Sequence, residues 1–130
     1  MSYEVAMTTL QWSSHLEVEG EEGTIYMDGL DFEPSQDLKD RIKKDWESFI
    51  DKALEMGFDP DKHRIGAYNS NESDIWDLAA HDFILTRNNH GAGFWDGDWS
   101  EPIATKLTEL SKEFGEIDVY ISEYGLLEAD

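Results

Sequence analysis

Along residues 35–56 the apolar side chains Leu38, Ile42, Trp46, Phe49, Ile50, Ala53 and Leu54 recur at helical spacing and share one face. This pattern predicts an amphipathic helix. Pro34 and Ser35 suit its first turn, Asp37 favours the positive end of its dipole, and Gly57 is placed for a left-handed stop. The outward positions interleave Asp37, Asp40, Asp45, Glu47, Asp51 and Glu55 with Lys39, Lys43, Lys44 and Lys52, a solvated face laced with i,i+4 pairs. A second helix is predicted over 102–114, where Ile103, Leu107, Leu110 and Phe114 form the stripe, Ser100-Glu101-Pro102 starts it and Gly115 stops it.

Elsewhere the period changes. Ile117, Val119 and Ile121 alternate with Asp118, Tyr120 and Ser122, a half-buried strand, and Glu123-Tyr124-Gly125 turns it toward a second strand at Leu126-Leu127. Phe83 and Leu85 alternate with Ile84 and Thr86, and Asn88-Asn89-His90-Gly91 supplies residues that tolerate positive φ before Ala92, Phe94 and Trp95. A β-hairpin over 81–95 is expected, closed by the turn Asp96-Gly97-Asp98, with Gly91 and Gly93 allowing close approach of a backbone or ring. Ser73 is placed to cap a short helix from Asp74 to Ala80. Residues 3–12 fit either period and are read as a helix, residues 13–31 as a polar loop holding at most a strand at Thr24–Met27, and 58–73 as a loop around Asp59-Pro60 and Asn69-Ser70-Asn71. The expected fold is α+β, a single domain over 1–130. Its small antiparallel sheet, from the 81–95 hairpin and the 117–128 strands, packs against the helices 35–56 and 102–114.

Composition narrows the function. The chain has 39% hydrophobic and 12% aromatic residues, enough for a core, and no cysteine, which excludes a disulfide framework and a thiolate metal site. No stretch reads as a signal peptide or membrane span, so a cytoplasmic protein is expected. Thirty acidic against ten basic residues give a formal net charge of −20, split equally between residues 1–60 and 61–130. At one charge per 1.7 Å of duplex DNA, that charge corresponds to about 34 Å of duplex, close to the diameter of a domain this size. Direct binding of nucleic acid is disfavoured, because the one dense basic run is Lys39-Arg41-Lys43-Lys44, and a basic protein partner is favoured.

The stretch 81–99, HDFILTRNNHGAGFWDGDW, concentrates candidate chemistry. Three uses compete for it. His81, Asp82, His90, Asp96 and Asp98 suggest metal ligands or acid–base groups, with His81, His90 and Asp96 as the core of a metal-dependent enzyme, although the spacing matches no helical ligand pair. Asp59, Asp61 and His63 likewise fit no calcium loop. A structural use pairs Arg87 with Asp96 or Asp98 across the hairpin and packs Trp95 and Trp99 on the helices. A binding use takes Phe94, Trp95 and Trp99 as aromatic anchors inside a rim of Asp96 and Asp98, with His90 and Arg87 beside them. Neither a nucleophile motif nor a phosphate-cradling loop is present, and no cofactor is implied.

HDFILTRNNHGAGFWD resembles the shared core, roughly HDF-x-LTRN-x-HGAGFWD, of a family of small, acidic, functionally uncharacterised proteins encoded by bacteriophages and plasmids. The resemblance extends to FGEIDVYIS and to TTLQWSS. It implies a mobile-element origin and transfers no activity. Together with the charge, it leads to the expectation of a non-enzymatic inhibitor of a host nucleic-acid-binding or defence protein, acting by DNA mimicry. A metal-dependent enzyme and a structural accessory protein of the element are the alternatives.

Overall fold

The computed structural model describes residues 3–20, 23–65 and 74–129. The expected loop at Asn69-Ser70-Asn71 and the cap at Ser73 lie outside the described residues. Among them the chain forms five α-helices and two two-stranded antiparallel sheets: α1 (Tyr3–Ser13), β1 (His15–Gly20), β2 (Gly23–Asp28), α2 (Gln36–Glu55), α3 (Pro60–His63), α4 (Ile75–Arg87), α5 (Ile103–Glu113), β3 (Val119–Ile121) and β4 (Leu127–Ala129). The class is α+β, with helix predominating.

The predicted helices 35–56 and 102–114 are α2 and α5. Ser35 caps α2 by accepting a hydrogen bond from Leu38 N–H at 3.1 Å. Gly57, at φ +87°, ends it with a Schellman pair: its own N–H donates to Leu54 O and that of Phe58 to Ala53 O, both at 3.0 Å. The C-terminal strands also form, with Val119 opposite Ala129 and Ile121 opposite Leu127. Leu127, fully buried, donates to Glu33 O and accepts from Ser35 N–H, both at 2.9 Å, and so ties the end of the chain to the start of α2.

The stretch 13–31, expected to be mostly loop, carries a hairpin. Its strands β1 and β2 pair in register from His15 opposite Asp28 to Gly20 opposite Gly23. Gly29 follows, so close to Gln11 that a Cβ would lie 2.8 Å from that residue's backbone. The Gln11 amide donates to Gly29 O and Phe32 O.

The hairpin expected over 81–95 is not formed. Residues 75–87 are one continuous helix, α4, and the sheets lie at 15–28 and 119–129 instead. The misleading signal has a physical cause. Helix α4 packs against α1, α3 and α5 and buries Ile75, Ala79, Ala80, Phe83, Ile84 and Leu85, so apolar residues surround it and the helical period is lost. The supposed turn residues end this helix. Asn89 adopts φ +51°, its N–H donates to Thr86 O at 3.2 Å and His90 N–H to Leu85 O at 3.0 Å, the same Schellman closure with asparagine in the left-handed position. At its start Asp74 is the cap, accepting from Trp76 N–H at 2.8 Å.

An aromatic chain runs through the core. Phe49 stacks on Phe83 at 4.5 Å and on Phe94 at 5.7 Å; Trp99 meets Phe94 and Phe58 edge-on; Trp46 stacks on Phe49 at 5.5 Å. Each such pair contributes about 0.5–1.5 kcal/mol beyond the area it buries.

Candidate functional site

The 81–99 stretch folds as helix α4 followed by a loop that doubles back onto it, and the helix's polar residues hold the loop in place. Thr86 Oγ1 accepts from Phe94 N–H at 3.0 Å. Gly93 passes so near the same hydroxyl, at φ +153°, that a Cβ would overlap it. Asp96 turns the loop by accepting from the Gly93 and Asp98 N–H groups, both at 3.4 Å. Asp82, 6% exposed, accepts the indole N–H of Trp99 at 2.6 Å.

Arg64 joins this buried corner. Its guanidinium lies 5.0 Å from the Trp99 ring centroid, 3.8 Å from Asp82 and 3.7 Å from Asp98. The strand-like bridge between Arg64 and Trp99, with Ile65 N–H donating to Asp98 O at 2.9 Å, fixes the approach. Loss of solvation raises the Asp96 carboxyl above its ordinary value, and the neighbouring carboxylates of Asp82 and Asp98 raise it further against the two backbone hydrogen bonds.

Arg87 does not pair with Asp96 or Asp98. It is 1% exposed and turns inward, donating to Gly115 O at 2.8 Å, Phe114 O at 2.9 Å and Asp45 at 3.0 Å, with Phe83 and Phe114 rings against its guanidinium. Burial lowers its pKa, opposed by the hydrogen bond and charge of Asp45. Next to it, Asn88 bonds Ile117 through both its amide nitrogen and its oxygen, and Asn89 donates to Glu116 at 2.8 Å. The motif thus clamps the entry to β3.

Of the residues expected on a binding surface, Phe94, Trp99 and Arg87 are core, whereas Trp95 (54% exposed), Asp96 and His90 face outward and Asp98 is partly exposed. His81, His90 and Asp96 do not form a ligand set: among the described residues no group of three His, Asp or Glu has metal-binding geometry. The imidazoles converge on an indole instead. Trp12 of α1 stacks on His81 at 5.6 Å and meets His90 edge-on at 6.1 Å. His81 in turn directs Nδ1 to Asp82 Oδ1 at 3.2 Å. In α3, Asp59 caps Asp61 N–H and His63 Nδ1 accepts from Asp59 N–H, so these three residues serve the turn.

Trp12, Arg64 and Asp45 escape a reading by motif because each meets its partner only through the fold. Arg87 and Asp45, for example, are 42 positions apart. One signal was available in the order of charges. Before Lys39 the chain has no lysine or arginine, from Asp74 to Glu101 it has only Arg87, and after Lys112 it has none. Helix α1 packs on α4, and Asn88 and Asn89 tie the end of α4 to Glu116 and Ile117, so all three stretches adjoin. No helix among the described residues is long and apolar enough to cross a membrane. Comparison with protein-family models, curated proteins and solved structures gives no match.

Proposed function

We propose that this chain is a phage- or plasmid-encoded binding protein that inhibits a basic host protein, a DNA- or RNA-binding defence factor, by offering an anionic surface in place of nucleic acid. The observation that carries this reading is the distribution of cations. Three adjoining stretches expose carboxylates such as Asp96, Glu116 and Asp118, while the only arginine within them, Arg87, is withdrawn into the core. A face of this kind, on a chain of net charge −20, attracts a cationic groove at long range and speeds association in a salt-dependent manner. Trp95, exposed beside Asp96 and Asp98, supplies an aromatic anchor of the kind that concentrates binding energy at interfaces. The resemblance of the 81–96 motif supports a mobile-element source, and action in the host cytoplasm belongs to the same proposal.

The test is displacement. Bacterial proteins retained on immobilised duplex DNA are challenged with micromolar protein, with polyglutamate of equal total charge as the control. Release of a discrete subset that polyglutamate leaves bound, fading as salt rises, is the expected result. Release of nothing, or of the same set by both, would sink the reading.

A further inference from the structure

We propose that the exposed face of Trp12 is a receptor for an arginine side chain, and that the surface around it takes a basic, extended peptide segment. The proposal deepens the preceding reading and rests on it for the partner's charge. Trp12 is a large aromatic left 36% exposed on the surface of α1. It is also held in place. His81 stacks against it, Asp82 fixes His81, and the other oxygen of Asp82 accepts the N–H of buried Trp99, so the indole is anchored to the core through three successive contacts. A ring fixed in this way loses little freedom on binding.

The surroundings select the ligand. A groove of about 290 Å³ runs from Trp12 and His81 along α1 past Thr8 and Val5 to Glu4. His90, whose ring meets Trp12 edge-on, also borders a second and more polar depression of about 200 Å³, together with Ser13, Ser14, Glu116 and Asp118. Among the described residues no lysine or arginine lines either hollow. An apolar wall followed by carboxylates suits a side chain with an aliphatic stem and a cationic head. Arginine is favoured over lysine because its planar, weakly hydrated guanidinium stacks on an indole face. A nucleic-acid base would stack as well, but its phosphates would meet the carboxylates. An anionic membrane and a second copy of this chain are opposed by the same charge.

The full chain is titrated with the blocked peptides Arg-Gly-Arg and Lys-Gly-Lys at low and physiological salt, and the five indole N–H resonances are followed by NMR. The Trp12 resonance, assigned from Trp12→Phe, and the ring signals of His81 and His90 are expected to move while that of Trp95 stays. Arg-Gly-Arg should bind about threefold tighter than its lysine counterpart. Trp12→Leu should weaken it about fivefold, and Trp12→Phe, which keeps a π face and guards against loss of folding, should weaken it less. Equal binding of the two peptides, uniform small shifts, or an unaltered Trp12→Leu protein overturns the proposal. The two readings separate in the displacement assay. If Trp12 binds the peptide but no DNA-bound protein is released, inhibition fails and the receptor survives. If release is undiminished by Trp12→Leu, the receptor fails and inhibition survives.

Discussion

Trp99 donates its indole N–H to Asp82 across 2.6 Å in a corner where both residues are buried, and this bond closes the 91–99 loop onto α4. A hydrogen bond to a charged group contributes about 1.5–3 kcal/mol, and an orphaned partner loses its own solvation in addition. Trp99→Phe leaves the carboxylate without its shortest donor and should cost about 2–3 kcal/mol. Asp82→Asn, which keeps an acceptor oxygen, should cost less than Asp82→Leu, which strands the indole N–H. Chemical denaturation of Trp99→Phe, Asp82→Leu and the double variant Trp99→Phe/Asp82→Leu tests the link: a coupling energy of about 1 kcal/mol or more is expected, and simple additivity would mean the bond does not hold the loop.

Arg87 makes a sharper case, because it satisfies two carbonyls and Asp45 at once from a site that is 1% exposed. Removing one partner of a buried charged network costs about 3–5 kcal/mol, a large share of the stability of a domain this size. Arg87→Ala is expected to bring the protein close to unfolding. Arg87→Lys keeps the charge and loses the planar fork, so an intermediate loss is expected, larger than that of Asp45→Asn, since Asp45 keeps access to water at 23% exposure. Thermal unfolding midpoints rank the three. Arg87→Lys at wild-type stability would show that charge alone is required.

The two amphipathic helices were legible because each exposes one face and buries another, as Ile42 and Trp46 set against Asp40 and Lys44 illustrate. The same criterion failed at α4 for the opposite reason. Phe83, Ile84 and Leu85 are consecutive and all buried, and only their surroundings decide between helix and strand. The run Asn88-Asn89-His90-Gly91 offers residues that tolerate positive φ, and Asn89 adopts it at +51°, but a helix stop and a hairpin turn ask for the same residue there. At the candidate site exposure alone was legible, and only in part: Trp95 and Asp96 face outward, whereas Arg87, expected to pair with Asp96 or Asp98, reaches Asp45 through the fold.

Gly93 is required by space as well as by conformation. Its φ of +153° is one that side chains rarely adopt, and a Cβ would strike the Thr86 hydroxyl that accepts Phe94 N–H. Gly93→Ala should therefore destabilise by about 2–4 kcal/mol, as strain and overpacking act together. Gly91, also at positive φ but with open space around its Cα, pays only the conformational part, so Gly91→Ala should cost about 1 kcal/mol. Equal losses in the two variants would show that the contact with Thr86 is unimportant.

Trp95 provides the opposite expectation for stability. At 54% exposure it contributes little to the core, and Trp95→Ala should change the unfolding free energy by no more than about 0.5–1 kcal/mol while reducing the salt-sensitive release of DNA-bound proteins. Unaltered release by a folded Trp95→Ala protein would remove Trp95 from the proposed interface.

Asp96 gives the fold a dependence on pH of unusual sign for a carboxylate. Desolvation and the charges of Asp82 and Asp98 raise it above its ordinary value of 3.8, so the folded chain holds this proton after the unfolded chain has released it. Well below pH 3.8 both states are protonated at this site and it is neutral toward folding. As pH rises from there through the raised value, the folded state binds more protons than the unfolded state, and stability is lost. Asp96→Asn removes this titration and keeps one acceptor for Gly93 or Asp98 N–H, which adds a constant offset at every pH. Repulsion among the other carboxylates grows with pH in both proteins and largely cancels in their difference. Urea unfolding at pH 3.5, 5 and 7 should then show the asparagine variant gaining on the wild type as pH increases. A carboxylate stabilised by pairing with Arg64 would give the reverse trend, and that trend, or a flat difference, would contradict the environment assigned to Asp96.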